Sequence, residues 1–209
     1  MHLRHTSALL ISAFIFLSGC SGPQTAGPSS ANPSRDLVIQ ERLAKDAAFK
    51  SKSEDSPILP EEKAGFRGLS YFPVSPALRF SVPLHRYPAP ARVRLGTNTG
   101  EIRSGLRYGY FEFQVDGQMC RLQVFRLEDA PDSGGVQLFV PFRDATSGNE
   151  SYSAGRYIDL KENTSGIYDL DFNRAYNPYC AYNSRFSCPV PPAENTLHVP
   201  IRAGEKKYH

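Results

Sequence analysis

The sequence contains no apolar run long enough to cross a bilayer, which takes about 20 residues. The run ALLISAFIFL at 8–17 has only ten. There is no block of one charge sign either: 24 Lys and Arg face 21 Asp and Glu, a net charge of +3 without a basic stripe. That excludes nucleic acid as the main partner. Phosphate loops, dinucleotide fingerprints, HExxH and GxSxG are all missing, which removes the common nucleotide, zinc-protease and serine-hydrolase signatures. Histidine is scarce: after His2 and His5, only His85, His198 and His209 remain. No internal repeat is visible, and neither a cofactor nor a metal centre is expected.

What is present begins with an address. Arg4 and two histidines precede the apolar run, which has the size of a secretory signal core. Leu17-Ser18-Gly19-Cys20 then resembles a bacterial lipobox. The resemblance implies cleavage after residue 19, a thioether-linked diacylglycerol on Cys20 and acylation, typically with palmitate, of the new amino terminus. Such an anchor holds far more firmly than one acyl chain. The chain is thus expected in the cell envelope, attached to a membrane by its amino-terminal lipid. Ser21 after the lipidated position favours the outer membrane, facing the periplasm, in a Gram-negative cell. Removing residues 1–19 takes away one Arg, leaving 23 basic residues against 21 acidic. Residues 20–34 continue as an uncharged Ser, Pro, Gly and Ala tether, and 35–209 form one domain with a sizeable core.

The fold class expected is mainly β: an antiparallel barrel or sandwich of short strands with one amino-terminal amphipathic helix. The helix is read over 35–50, with Ser34 as N-cap and Leu37, Ile39, Leu43, Ala44, Ala47 and Ala48 as its apolar positions. Its charges read as solvent surface. Asp116-Gly117 separates two β-rich runs and predicts a two-residue hairpin. The register pairs Val115 with Gln118, Phe113 with Cys120 and Phe111 with Leu122, so Phe111, Phe113, Cys120, Leu122 and Val124 share the buried face. Asn98-Thr99-Gly100 predicts a second hairpin across 92–108. Further strands are expected at 78–84, 136–142, 156–160, 167–172 and 197–202.

The unusual residues gather in the carboxy-terminal half. Residues 173–195 have no regular period over more than twenty positions, the mark of a functional loop or one packed by its own side chains. Tyr176, Tyr179, Tyr182 and Phe186 supply such packing. Phe142-x-Asp144-x-Thr146-Ser147-Gly148, Tyr152-x-x-Gly155-Arg156-Tyr157, Asp171-Phe172-Asn173-x-Ala175-Tyr176-Asn177-Pro178, Cys180-Ala181-Tyr182, Cys188-Pro189-x-Pro191-Pro192-x-Glu194-Asn195 and Ala203-Gly204-Glu205 resemble the hallmark strings of the prokaryotic family called domain of unknown function 1684. Ser56-Pro57 and Phe66-x-Gly68-Leu69-x-Tyr71-Phe72 resemble its amino-terminal part, so the resemblance covers roughly residues 37–207. The Trp that members carry in the early helix has no counterpart here. The family implies no established activity.

Candidate binding or catalytic residues are Asp144, Tyr152, Arg156, Asp171, Asn173, Arg174, Tyr176, Asn177 and Glu194. One reading makes Asp144, Arg156, Asp171 and Arg174 a buried network that shapes loops. The other makes a pocket in which Arg156 and Arg174 grip an anion, Tyr152, Tyr157 and Tyr176 stack, and Asp144 or Asp171 orients the ligand or acts as base. Cys180 and Cys188 form a disulfide by default in an exported chain. A metal site with His198 or Glu194 and a thiolate nucleophile at Cys180 with His198 are the alternatives. Three functions follow: a non-catalytic domain binding a small molecule, glycan or protein, which the missing catalytic motifs favour; a hydrolase with its site between 143–157 and 173–195; and a purely structural lipoprotein.

Overall fold

A computed structural model describes residues 33–51, 56–128 and 137–209. Cys20, the signal segment and nearly all of the tether lie outside the described residues. The helix α1 (Pro33–Lys50) is followed by β1 (Arg79–Pro83), β2 (His85–Gly96), β3 (Ile102–Val115), β4 (Gln118–Leu127), β5 (Gln137–Phe142), β6 (Arg156–Lys161) and β7 (Ile167–Asp171).

The Asp116-Gly117 turn has φ 49° and 78°, the positive values a tight hairpin demands. It sets the expected register, with Val115 opposite Gln118, Phe113 opposite Cys120 and Phe111 opposite Leu122. On the exposed side Arg121 pairs with Glu112 at 2.7 Å. Strands β2-β3-β4-β5-β6 form an antiparallel sheet, while β1 and β7 pair separately. The sheet is not closed into a barrel, and the arrangement is sandwich-like. Its core lies between Phe111, Leu122, Val124, Leu138, Val140 and Phe142 on one side and Val82, Leu170 and Phe172 on the other. Leu197, Val199, Ile201 and Ala203 complete that core.

Several expectations need correcting. Residues 197–202 do not join a strand ladder. Pro200 lacks a donor, and the carbonyls of Ile201 and Ala203 turn instead to Arg156. The expected arms at 101–108 and 110–115 are one strand, β3, with an irregularity between Arg107 and Gly109. Strand β2 starts at His85, although it contains Pro88 and Pro90. It is an edge strand, where missing donors are tolerated, and its register shifts between Arg86 and Ala91.

The helix departs furthest from expectation. It begins at Pro33, so Ser34 lies inside it. Leu37 and Leu43 are 52% and 57% exposed, while Val38 and Phe49 are buried. Positions 38, 42, 45 and 49 recur at helical spacing, so α1 presents Arg42 and Lys45 to the domain. Periodicity finds the helix but not its inward face when long charged side chains do the docking.

Candidate functional site

Helix α1 is tied to the domain by polar bonds. Arg42 donates from Nη1 to the Phe72 carbonyl at 2.9 Å and from Nη2 to the Asn173 carbonyl at 3.2 Å. Arg174 grips Glu41 with two bonds, at 2.8 and 3.0 Å, a bidentate fork–carboxylate geometry. Lys45 reaches Glu205 at 2.5 Å, although the two are 160 residues apart. Between the helix and these partners lies a cleft of about 250 Å³. Val38 and Ala175 give it an apolar floor, and Arg42, Lys45, Tyr71, Tyr176 and Glu205 form the walls.

Glu205 is the deepest charge in the cleft, 1% exposed. Besides Lys45, it accepts the Asn177 backbone N–H at 2.8 Å and the Tyr182 hydroxyl at 2.5 Å. The Lys45 ammonium stands over the rings of Tyr176 and Phe49 at 4.9 and 5.1 Å, close enough for cation–π attraction. Arg42 lies over the Tyr71 ring at 4.5 Å. Burial, then the charge of Glu205, pushes the Tyr71 hydroxyl far above its ordinary value. Tyr176 is held up by burial and by Asp159, to which its hydroxyl donates at 2.5 Å. Both phenols therefore stay neutral, offering ring faces and no base. Burial pulls Arg42 somewhat down, and its buried Nε–H finds no acceptor among the described residues.

The candidate residues divide into groups. Asn173, Arg174 and Tyr176 line the cleft. Asp144 and Arg156 are paired at 2.8 Å with no exposed side-chain surface on either. Arg156 also donates to the carbonyls of Ile201, Ala203 and Glu205, and its ring neighbours are Phe142 and Phe72. Asp144 accepts the N–H groups of Thr146 and Ile201 at 2.7 and 3.2 Å. This pair knits the carboxy-terminal segment to the sheet and touches no solvent. Asp171 accepts from the backbone and side-chain nitrogens of Asn173 at 2.9 and 2.8 Å. Asn173 in turn pairs with both backbone groups of Ser75, at 2.8 and 2.9 Å, as a neighbouring strand would. Asn177 donates to the Lys206 carbonyl at 2.8 Å. Glu194 lies at the surface against Arg107.

Residues 173–195 cover the second face of the sheet. Tyr176 packs against Tyr157 and Tyr182 against Phe49, with ring centroids at 5.7 and 5.2 Å. Within the loop itself Tyr179 meets Phe186 at 5.2 Å. The buried Asn195 was not anticipated: its side chain bonds Gln123 N, Gln123 O and Pro141 O at 2.7–2.9 Å, filling the gap between β4 and β5. Those strands share a single register pair, Phe125 with Phe139.

Cys180 and Cys188 lie side by side as free thiols and not as the expected bridge, and Cys120 is a third, buried in the core. Cys180 meets the Tyr152 hydroxyl at 3.9 Å, and burial with that thiol raises Tyr152 to about 12. No group of three or more His, Cys, Asp or Glu that could hold a metal occurs among the described residues, and His198 is exposed.

The fold and cleft define a sandwich-like β domain carrying a helix-capped cleft walled by neutral phenols and ion-paired charges. The chain belongs to the family described as protein of unknown function DUF1684, whose model it matches over residues 64–206. It is similar to an uncharacterized protein of Haloarcula marismortui solved by solution NMR, at 38% identity and a TM-score of 0.63. The match covers 83% of this chain and 96% of that one. No curated protein matches the chain. Arg42, Lys45, Tyr71 and Glu205 were missed as site residues. Tyr71 and Glu205 stand in the family strings, whereas the two cations read as helix surface.

Proposed function

We propose that the chain is a lipid-anchored envelope protein whose β domain is a non-catalytic receptor for a small molecule held under α1. The observation that carries the binding reading is the cleft, walled by two neutral tyrosines and by Arg42, whose buried Nε–H has no acceptor among the described residues. The volume admits only a small ligand: a flat, largely apolar body between the Tyr71 and Tyr176 rings, with one carboxylate, carbonyl or hydroxyl toward Arg42. The receptor reading is favoured over a hydrolase because Asp144 is sealed by Arg156 and backbone donors, and Asp171 is fixed by Asn173.

The test is a thermal-shift and NMR titration of the full chain in detergent micelles with small aliphatic and aromatic carboxylates. A saturable shift confined to α1 and residues 71 and 173–176, lost in Val38→Phe, supports the reading. Shifts elsewhere, or none with carboxylates, amides and sugars alike, overturn it in favour of a structural lipoprotein. The anchor reading stands on Leu17-Ser18-Gly19-Cys20.

A further inference from the structure

Residues 180–188 return on themselves so that one cysteine is fixed to the sheet and the other to the helix side. Cys188 is held in the turn between β2 and β3. Its N–H donates to Asn98 Oδ1 at 2.7 Å, and the Asn98 N–H returns to its carbonyl at 3.2 Å. Pro189 bridges to Thr97, and Val190 N–H donates to the Gly96 carbonyl at 2.8 Å. Cys180 lies in the short 3₁₀ turn Tyr179–Ala181, next to Tyr179 and Tyr182, whose rings pack on Phe49. Where these two fixed pieces meet, the thiols share a hydrogen bond and both cysteines are half-buried.

The pair is asymmetric. Cys188 Sγ receives the Cys180 backbone N–H at 3.4 Å. Cys180 Sγ instead has Tyr152 Oη at 3.9 Å. Charge therefore settles on Cys188. The Cys180 hydrogen bond, backbone N–H groups and Arg103 bring its thiol to about 7 against the opposing effect of burial. That same hydrogen bond, with burial, pushes Cys180 up. A thiolate beside a protonated thiol is the arrangement of an attacking and a resolving cysteine. Partial burial of both sulfurs suits a small oxidant better than a protein disulfide.

We propose that Cys188 and Cys180 form a reversible, hydroperoxide-reactive dithiol, with Cys188 the attacking sulfur and Cys180 the resolving one. The Cys188 thiolate attacks the distal peroxide oxygen; the O–O bond breaks, and the leaving alkoxide or hydroxide takes a proton to become an alcohol or water. Cys188 is now a sulfenic acid. The Cys180 sulfur attacks it, the S–O bond breaks and water leaves with the Cys180 proton. Two thiols and one hydroperoxide have become one disulfide, one alcohol or water and one water. A thiol reductant reverses the oxidation.

The experiment treats the reduced full chain in detergent with limiting hydrogen peroxide and maps the products by peptide mass spectrometry. The proposal expects a Cys180–Cys188 disulfide that glutathione reopens. It also expects a dimedone-trapped sulfenic acid on Cys188 in Cys180→Ser, and none on Cys180 in Cys188→Ser. Alkylation of the untreated wild-type chain by iodoacetamide at pH 7 should be on the order of tenfold faster at Cys188 than at Cys180. That measurement does not depend on how the variants fold. Equal alkylation rates, sulfenic acid first at Cys180, or a bond that glutathione cannot open would each overturn the proposal, the last leaving a permanent staple.

Discussion

Arg156→Met removes the guanidinium that ties Asp144 to the carbonyls of Ile201, Ala203 and Glu205. Both side chains of the ion pair are 0% exposed, so the orphaned carboxylate cannot recover water without opening the core. Breaking one side of a buried pair costs about 3–5 kcal/mol, and each carbonyl that loses a donor adds about 1 kcal/mol. The expected loss is therefore about 6–8 kcal/mol, most of the stability an ordinary domain has. A buried ion pair alone is often replaceable by apolar residues at little cost. Here it is not, because Asp144 also holds the N–H groups of Thr146 and Ile201. Asp144→Leu/Arg156→Met should regain no more than about 2 kcal/mol over Arg156→Met. Urea unfolding followed by circular dichroism measures these quantities, provided the slope m stays constant across variants. A loss under about 1.5 kcal/mol for Arg156→Met, or a double variant as stable as the parent, would refute the claim that this pair is scaffold.

Asn195→Leu should cost about 2–4 kcal/mol by the same assay, because three backbone groups of β4 and β5 lose their partner. Gly204→Ala should cost at least about 2 kcal/mol. Its φ is +74°, and the new Cβ would lie 2.4 Å from the Ala175 carbonyl oxygen. The Cys188 thiol is depressed in the fold to about 7, below the ordinary free value of about 8.5. Its contribution is therefore complete above the unfolded value and lost as pH falls through about 7. Urea midpoints of the reduced chain should accordingly rise between pH 6 and 8 more steeply in the parent than in Cys188→Ser. Cys20→Ser should abolish incorporation of an alkyne-tagged palmitate and move the chain from the membrane to the soluble fraction; unchanged labelling would refute the lipobox reading.

The hairpin was legible down to its register because Asp116-Gly117 admits one geometry and the alternation admits one face. Helix α1 was legible as a helix and misleading in its orientation, since its docking face is built of Arg42 and Lys45 and not of its leucines. Residues 197–202 have the composition of a strand, yet their hydrogen bonds are divided between the irregular backbone at Arg143 and Ala145 and the side chains of Arg156 and Asp144. The same substitution of side chain for strand explains Asn173 and Asn195, whose amides occupy places where a ladder would otherwise run. Such partnerships join residues 54 to 98 positions apart, and no local pattern encodes them. The cleft is a product of these long-range bonds. Its residues from the loop, Asn173, Arg174 and Tyr176, were recognisable by type, but not the wall that faces them.

The bond between Lys45 and Glu205 has a consequence for how the chain can be made. A ribosome adds residues from the amino terminus, so α1 emerges early and its carboxylate partner 160 residues later. The acceptors of Arg156 at Ile201, Ala203 and Glu205 are equally late. Until residues 201–205 are free of the exit tunnel, neither Lys45 nor Arg156 has these partners, and pairings this distant form slowly. Emergence of residues 201–205 is thus the step that closes the bonds of Lys45 and Arg156. A chain ended before residue 201 should keep the Arg42 and Glu41 ties of α1 and lose the Lys45 tie and the acceptors of Arg156.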